Sequence, residues 1–245
     1  MMFGQYLKAR RKGNATPKYE QEMEAYDRSS LANMFGGNEA LLDDLLKRKT
    51  AAYLDAPPAS GSFPVVVYSM GQNDHNEENA VLCEFLASHG FIVVSVPDLG
   101  PTPRRSSLIV DDPASYEGQV RDLEFALQET LKMPSADGSR VAAVGMSMGG
   151  IYALLFAMRN DRVGAIVGLD ASYMEPLPRY YYKYQEAYYF NPPAIRIPLL
   201  SIFRKDEHVS QDVIAKLRYS DRVLVEVPKV IHADFTSYPL TNNAG

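Results

Sequence analysis

Val144-Gly145-Met146-Ser147-Met148-Gly149-Gly150 joins two stretches of opposite character. Before it runs Ser139-Arg140-Val141-Ala142-Ala143-Val144, set off by the turn signal Asp137-Gly138 and patterned as a strand. After it runs Ile151-Tyr152-Ala153-Leu154-Leu155-Phe156-Ala157-Met158, an Ala/Leu-rich helix pattern. Strand, G-x-S-x-G and helix together define a nucleophile elbow. The turn is so sharp that the serine must adopt strained backbone angles, and a Cβ at Gly145 or Gly149 would collide with neighbouring elements. Ser147 then stands at the carboxyl end of its strand, at the positive end of the following helix.

Working outward, β-branched runs and helical patterns alternate from residue 63 onward. Strands are predicted over residues 63–69, 91–96, 162–169, 197–203 and 222–227, and helices over 77–89, 115–132 and 211–219. Continuous Val/Ile-rich strands separated by helices imply an α/β fold, a mostly parallel sheet covered on both faces. Residues 1–60 show no strand pair. They read as a helical extension with helices over 19–35 and 39–53, a basic cluster at residues 8–12 that forms a solvated face, and a Pro/Ala/Ser linker at 56–62 leading into the core at 61–245.

The chain of 245 residues fits one α/β domain, and its 46% hydrophobic and 22% charged residues are those of an ordinary globular protein. A formal charge of −5 argues against a nucleic-acid partner, which would call for a basic face. The single cysteine, Cys83, excludes an internal disulfide and sits in an apolar helical pattern, as a structural thiol does. No apolar run reaches the length of a membrane span. The basic residues 1–13 are not followed by the apolar core of a secretory leader, and the compartment stays open.

A serine hydroxyl needs a base to take its proton, and the base needs an acid to fix its tautomer. On this topology the chain order is serine, acid, histidine, all at the carboxyl edge of the sheet. Of the four histidines, His75 and His89 precede the elbow, and His89 stands before Gly90 as a helix cap. His208 follows a strand within a charged turn. His232 follows the last strand and is the expected base. Two aspartates compete for the acid. Asp170 follows the apolar strand 166–169, a setting that buries it and demands a partner. Asp206 lies in the polar turn Arg204-Lys205-Asp206-Glu207 and is the alternative. The oxyanion donors are expected to be the N–H groups of Met148 and of Gln72, in the loop after the first core strand. The elbow lacks the Lys-Ser/Thr of a phosphate loop, and no metal-ligand spacing is present, so no cofactor or metal is implied.

These pieces resemble the α/β-hydrolase superfamily, and within it the platelet-activating-factor acetylhydrolase and dienelactone-hydrolase-like branch. Residues 63–71 are similar to that branch's strand and oxyanion loop, residues 86–94 to its helix-to-strand crossover, and 145–150 to the elbow of the whole superfamily. Gly168-Leu169-Asp170-Ala171 and His232-Ala233-Asp234-Phe235 resemble the segments that carry acid and base in acetylhydrolase-like members, which favours Asp170 over Asp206. Met70 departs from the histidine that commonly precedes the loop glycine. Two further departures from that pattern, no strand apparent before Phe63 and few residues after His232, lead to the expectation of a version of the fold lacking the opening strands and the closing helix.

The implied activity is hydrolysis of a carboxylic ester, with a short acyl or lipid ester as the small-molecule substrate. The rival readings are a hydrolase-like domain that binds without catalysis and a peptidase on the same fold. The tyrosine-rich stretch at residues 173–192 is expected to be a lid or pocket wall above Ser147, or else a surface excursion packed on the N-terminal helices. Oligomeric state has no signature in the sequence.

Overall fold

In the computed structural model the described residues are 1–9, 21, 24–25, 28–29, 31–32, 36–72, 74, 77–97, 113–175, 179–205 and 209–239. Two helices precede the sheet, α1 (Gly4–Ala9) and α2 (Glu39–Lys47). Asn38 caps α2, its side chain accepting the Leu41 N–H at 3.2 Å, and Leu42 and Leu45 form its buried stripe. The described residues between 21 and 32 are helical; the rest of the helix expected over 19–35 lies outside the described residues.

Then follow β1 (Phe63–Ser69), α3 (Ala80–Ser88), β2 (Ile92–Val96), α4 (Pro113–Thr130), β3 (Ala136–Met146), α5 (Met148–Arg159), β4 (Val163–Leu169), β5 (Leu199–Arg204), α6 (Asp212–Lys216) and β6 (Arg222–Val227). The six strands form one sheet in the order β2-β1-β3-β4-β5-β6, and every pairing is parallel. The expected "mostly parallel" sheet is thus wholly parallel among the described strands. Its order reverses at β1, so chain segments leave β1 and β3 in opposite directions and open a crevice at the carboxyl ends, where such folds bind ligands.

The valine runs explain the two covered faces. Val65 and Val67 of β1 point into the larger core with Leu123 and Leu127 of α4 and residues 151–157 of α5. Their neighbours Val66 and Tyr68 point the other way, with Val144, Met146 and Met70, against α3 and Phe235. Alternation along a strand thereby supplies both faces. Helix α5 is buried from Met148 through Ala157 and apolar all round, as a helix between a sheet and other helices must be. Each large apolar side chain it buries contributes about 1.5–3 kcal/mol.

Two predicted helices begin or end differently. Residues 77–79, placed in a helix by their pattern, form a buried turn ahead of α3, and α6 is confined to five residues. In the tyrosine-rich stretch, short 3-10 helices run over Ser172–Met174, Arg179–Glu186 and Pro192–Ala194. Tyr184 is fully buried, its ring 5.9 Å from Tyr116 of α4 and 5.7 Å from Phe190, while Tyr189 lies under the Arg159 guanidinium of α5. This part of the excursion therefore rests on α4 and α5. Residues 176–178 and the side chains of 179–182, on which a lid would depend, lie outside the described residues.

Candidate active site

Ser147 has φ 53° and ψ −124°, the strained geometry expected of the elbow. The surroundings hold it there. Its N–H donates to the Leu169 carbonyl at 3.1 Å, and its own carbonyl accepts from Gly150 N at 3.0 Å and Ser172 N at 2.9 Å. A Cβ on Gly145 would lie 2.1 Å from the Gly149 carbonyl oxygen, and one on Gly149 would lie 2.1 Å from the Ser69 carbonyl oxygen. Both glycines are required because backbone passes where a side chain would start. Gly150 and Gly168, which the motif does not single out, are equally tight: their added Cβ atoms would meet the Ala171 Cβ at 2.3 Å and the Tyr173 hydroxyl at 1.9 Å.

At the end of β4 the chain turns through Asp170 with φ 41°. Its N–H still donates to Ile202 at 2.7 Å, so the backbone stays on β5 while the carboxylate swings towards the end of that strand. Asp170 is 3% exposed, and its Oδ2 lies 2.5 Å from Nδ1 of His232, which opens the short 3-10 helix after β6. Arg204, the last residue of β5, completes the group. Its backbone N–H donates to Asp170 Oδ1 at 3.0 Å, and its guanidinium donates through Nη1 to Asp170 Oδ2 and through Nη2 to Glu175 Oε1 at 2.8 Å. The same Nη1 lies 3.0 Å from His232 Nδ1. Burial alone would push Asp170 up, but the His232 hydrogen bond, the Arg204 N–H and the Arg204 charge outweigh it and hold the carboxyl below its usual range.

Arg204 is the site residue that the sequence concealed. It sits in a run of charged residues that reads as a solvated turn, and only the β5 register brings it beside Asp170. It also bears on metal binding. Asp170, Glu175 and His232 offer ligand atoms within 4.8 Å of one another. The guanidinium already supplies the positive charge between the two carboxylates, so the trio fits an ion-pair network rather than a cation site.

Ser147 Oγ lies 3.5 Å from Ser172 Oγ, and among the described residues it makes no hydrogen bond to His232. Such contacts are commonly long without substrate. Among the described residues no hydrogen bond takes the Met148 N–H or the Gln72 N–H, whereas the Gly71 N–H already donates to Glu78 Oε1 at 3.0 Å. Met70, which stands where the resembled branch commonly has a histidine, is fully buried. His89 caps α3, its Nδ1 2.8 Å from the Phe85 carbonyl oxygen. The thiol of Cys83 is pushed up to about 12, chiefly by burial, as suits an unreactive group. His75, His208 and the alternative acid Asp206 lie outside the described residues. No helix of the described residues is long and apolar enough to cross a membrane.

The fold and the serine elbow at its carboxyl edge define an α/β-hydrolase-fold protein. Solved structures share the architecture. Ferulic acid esterase from Streptomyces cinnamoneus superposes with a TM-score of 0.59 at 24% identity, covering 78% of this chain and 58% of that one. DcsB, solved in complex with its substrate analogue, gives 0.54 at 16% identity, over 74% and 88%. The sequence model described as Chlorophyllase matches residues 46–172, just over half of the chain, and the protein belongs to that family. Chlorophyllase-1, chloroplastic, of Citrus sinensis is 32% identical over 117 residues, 46% of this chain and 34% of its own length. Hydrolyase poxO of Penicillium oxalicum is 35% identical over 129 residues, 50% of this chain and 30% of its own. The chain thus spans about a third of the length of these curated relatives. The matched stretch includes Ser147 and Asp170 and stops before His232. The family it names, chlorophyllase, bears on the superfamily and leaves the acetylhydrolase and dienelactone-hydrolase-like branch, which the motifs resemble, as a resemblance.

Proposed function

We propose that this chain hydrolyses a carboxylic ester through an acyl-enzyme on Ser147. The observation that carries the reading is the 2.5 Å contact of His232 Nδ1 with the buried Asp170, at the same sheet edge as the strained serine. Membership of the chlorophyllase family supports it, as does the esterase named among the structures of like fold.

In this mechanism Ser147 Oγ attacks the ester carbonyl while His232 Nε2 takes its proton. Asp170 accepts the Nδ1–H, which sets the tautomer that leaves Nε2 basic and steadies the imidazolium. The C–O bond to the alcohol breaks, and His232 returns the proton to the leaving oxygen. Water then attacks the acyl-enzyme by the same route, releasing the acid and restoring Ser147. The Met148 and Gln72 N–H groups receive the developing oxyanion. Arg204 balances the Asp170 charge without donating to the substrate. The substrate class is a small-molecule ester with a short acyl or lipid chain, as the acetylhydrolase-like segments around Asp170 and His232 suggest. No step calls for a cofactor.

One observation favours the rival, a non-catalytic hydrolase-like domain: Ser147 contacts Ser172 rather than His232. Labelling by a fluorophosphonate separates the two, since it needs an activated serine. The main test is p-nitrophenyl ester hydrolysis over a range of acyl lengths. Ser147→Ala is expected to abolish turnover, and Asp170→Asn to lower kcat by about 10⁴ through the wrong tautomer. Asp206→Asn should stay near wild type. Loss in Asp206→Asn with Asp170→Asn active would move the acid to the later strand. A folded wild type with neither turnover nor labelling would leave the binding domain.

A further inference from the structure

A second set of ionisable groups lies under the oxyanion loop, away from Asp170 and His232. Glu78, in the turn before α3, is fully buried and faces that loop. Its Oε1 accepts the Gly71 N–H at 3.0 Å, and its Oε2 accepts the Tyr68 hydroxyl at 2.5 Å, which in turn accepts from Asn79 Nδ2 at 2.6 Å. A side chain on Gly71 would begin 2.8 Å from Glu78 Oε1, 3.4 Å from Asp74 Oδ2 and 3.5 Å from the Ser147 Cβ. The nucleophile, the loop and both carboxyl groups therefore converge on one spot.

Glu78 Oε1 and Asp74 Oδ2 thus face the same spot at Gly71, and two carboxyl groups brought together in this way do not both ionise readily. Burial, then the Asp74 charge, push the Glu78 carboxyl well above its usual range. The ionisable groups around it are Tyr68 from β1, Asp74 from the loop, Glu77 and Cys83 from the α3 side, and Tyr238 from the segment after His232. None is a cation; the Gly71 N–H and the Tyr68 hydroxyl favour the ionised acid, and burial with the Asp74 charge outweighs them. The Tyr238 hydroxyl donates to Asp74 Oδ1 at 2.8 Å, Asn79 Nδ2 donates to the Phe235 carbonyl at 3.0 Å, and Ser237 N donates to the Glu78 carbonyl at 2.7 Å. One network thus joins the oxyanion loop to the segment that begins with His232.

We propose that Glu78 is a positioning residue: it anchors the Gly71 N–H, sets the Gln72 amide beside Ser147, and ties that loop to the His232 segment. This role rests on the ester-hydrolase reading. The neutral form matters because an anion directly behind the oxyanion donors would oppose the charge they stabilise. A glutamine has the same shape and, like the acid, both donates and accepts; an alanine removes the anchor.

The test compares Glu78→Ala, Glu78→Gln and wild type on a p-nitrophenyl ester, with Tm measured across pH. Glu78→Ala is expected to lower kcat about 100-fold while KM stays within about threefold, and Glu78→Gln to recover kcat to within about tenfold of wild type. Because the folded-state pKa of Glu78 is raised, its stabilisation is complete below the unfolded value of about 4.3 and declines as pH rises towards the folded value. Glu78→Gln does not titrate, so its Tm should gain on wild type as pH rises above the unfolded value. A folded Glu78→Ala with kcat within about threefold of an active wild type overturns the positioning role alone. Glu78→Gln as slow as Glu78→Ala, or a Tm difference flat with pH, overturns the neutral acid. Should Glu78→Ala not fold, the glutamine variant and the Tm series still decide. A wild type that neither turns over esters nor labels at Ser147 removes the ester-hydrolase reading and this role with it.

Discussion

At the scale of single residues, the informative group is Arg204. It donates to both oxygens of Asp170, through its backbone and its side chain, and one of its guanidinium nitrogens lies 3.0 Å from His232 Nδ1. Both Nδ1–H and Nη1–H therefore compete for the same carboxylate oxygen. The depressed Asp170 pKa means that its ionised form adds stability above the unfolded value of about 3.9, and that this is lost as pH falls through the lower folded value. Removing Arg204 leaves burial, the largest influence, less opposed, and the Asp170 pKa must rise. Arg204→Met should therefore lower kcat/KM, by about threefold at pH 8 and by a loss that grows as pH falls, to tenfold or more near pH 5. A loss of equal size at both pH values would show that Arg204 acts through packing, and Arg204→Lys, which lacks the fork, should not restore the wild-type profile.

At the scale of elements, the strands and the elbow were legible because their signals are local. Runs such as Phe63-Pro64-Val65-Val66-Val67 state their burial in their composition, and Gly-x-Ser-x-Gly between a strand and a helix states its turn. What stayed hidden depends on partners distant in sequence. Glu77 and Glu78 read as the polar start of a helix, yet both are buried in a turn. Gly168 looks like any small strand residue until the Tyr173 hydroxyl is found where its Cβ would go. The tyrosine-rich stretch shows the same limit, since aromatic density does not say which surface receives it. Tyr184 packs on Tyr116 and Phe190, so its role is structural, and Tyr184→Ala is expected to destabilise the protein by about 3–5 kcal/mol. For a chain of this size that lowers Tm by roughly 6–20 °C. A folded Tyr184→Ala with unchanged Tm and an altered preference for acyl length would instead support a lid.

At the scale of the whole molecule, the question is whether the residues before β1 form a unit of their own. Phe3, Leu31, Leu42 and Leu45 make a small apolar cluster, but Ala80 of α3 and Tyr238, beyond His232, belong to it as well. Further ties run from this region to α3, where Glu84 accepts the Ala51 N–H at 2.8 Å and the Tyr6 hydroxyl. The small core therefore shares residues with the network behind the oxyanion loop, through the Tyr238 hydroxyl on Asp74. Elements coupled in this way should unfold together. Leu42→Ala removes a fully buried side chain and should cost about 2–5 kcal/mol. We expect it to shift one transition, seen at the same temperature by far-ultraviolet circular dichroism and by tyrosine fluorescence, the chain having no tryptophan. A separate early transition in Leu42→Ala, with the main one unmoved, would show instead that the N-terminal residues fold as an independent unit and that the His232 segment holds its place without them.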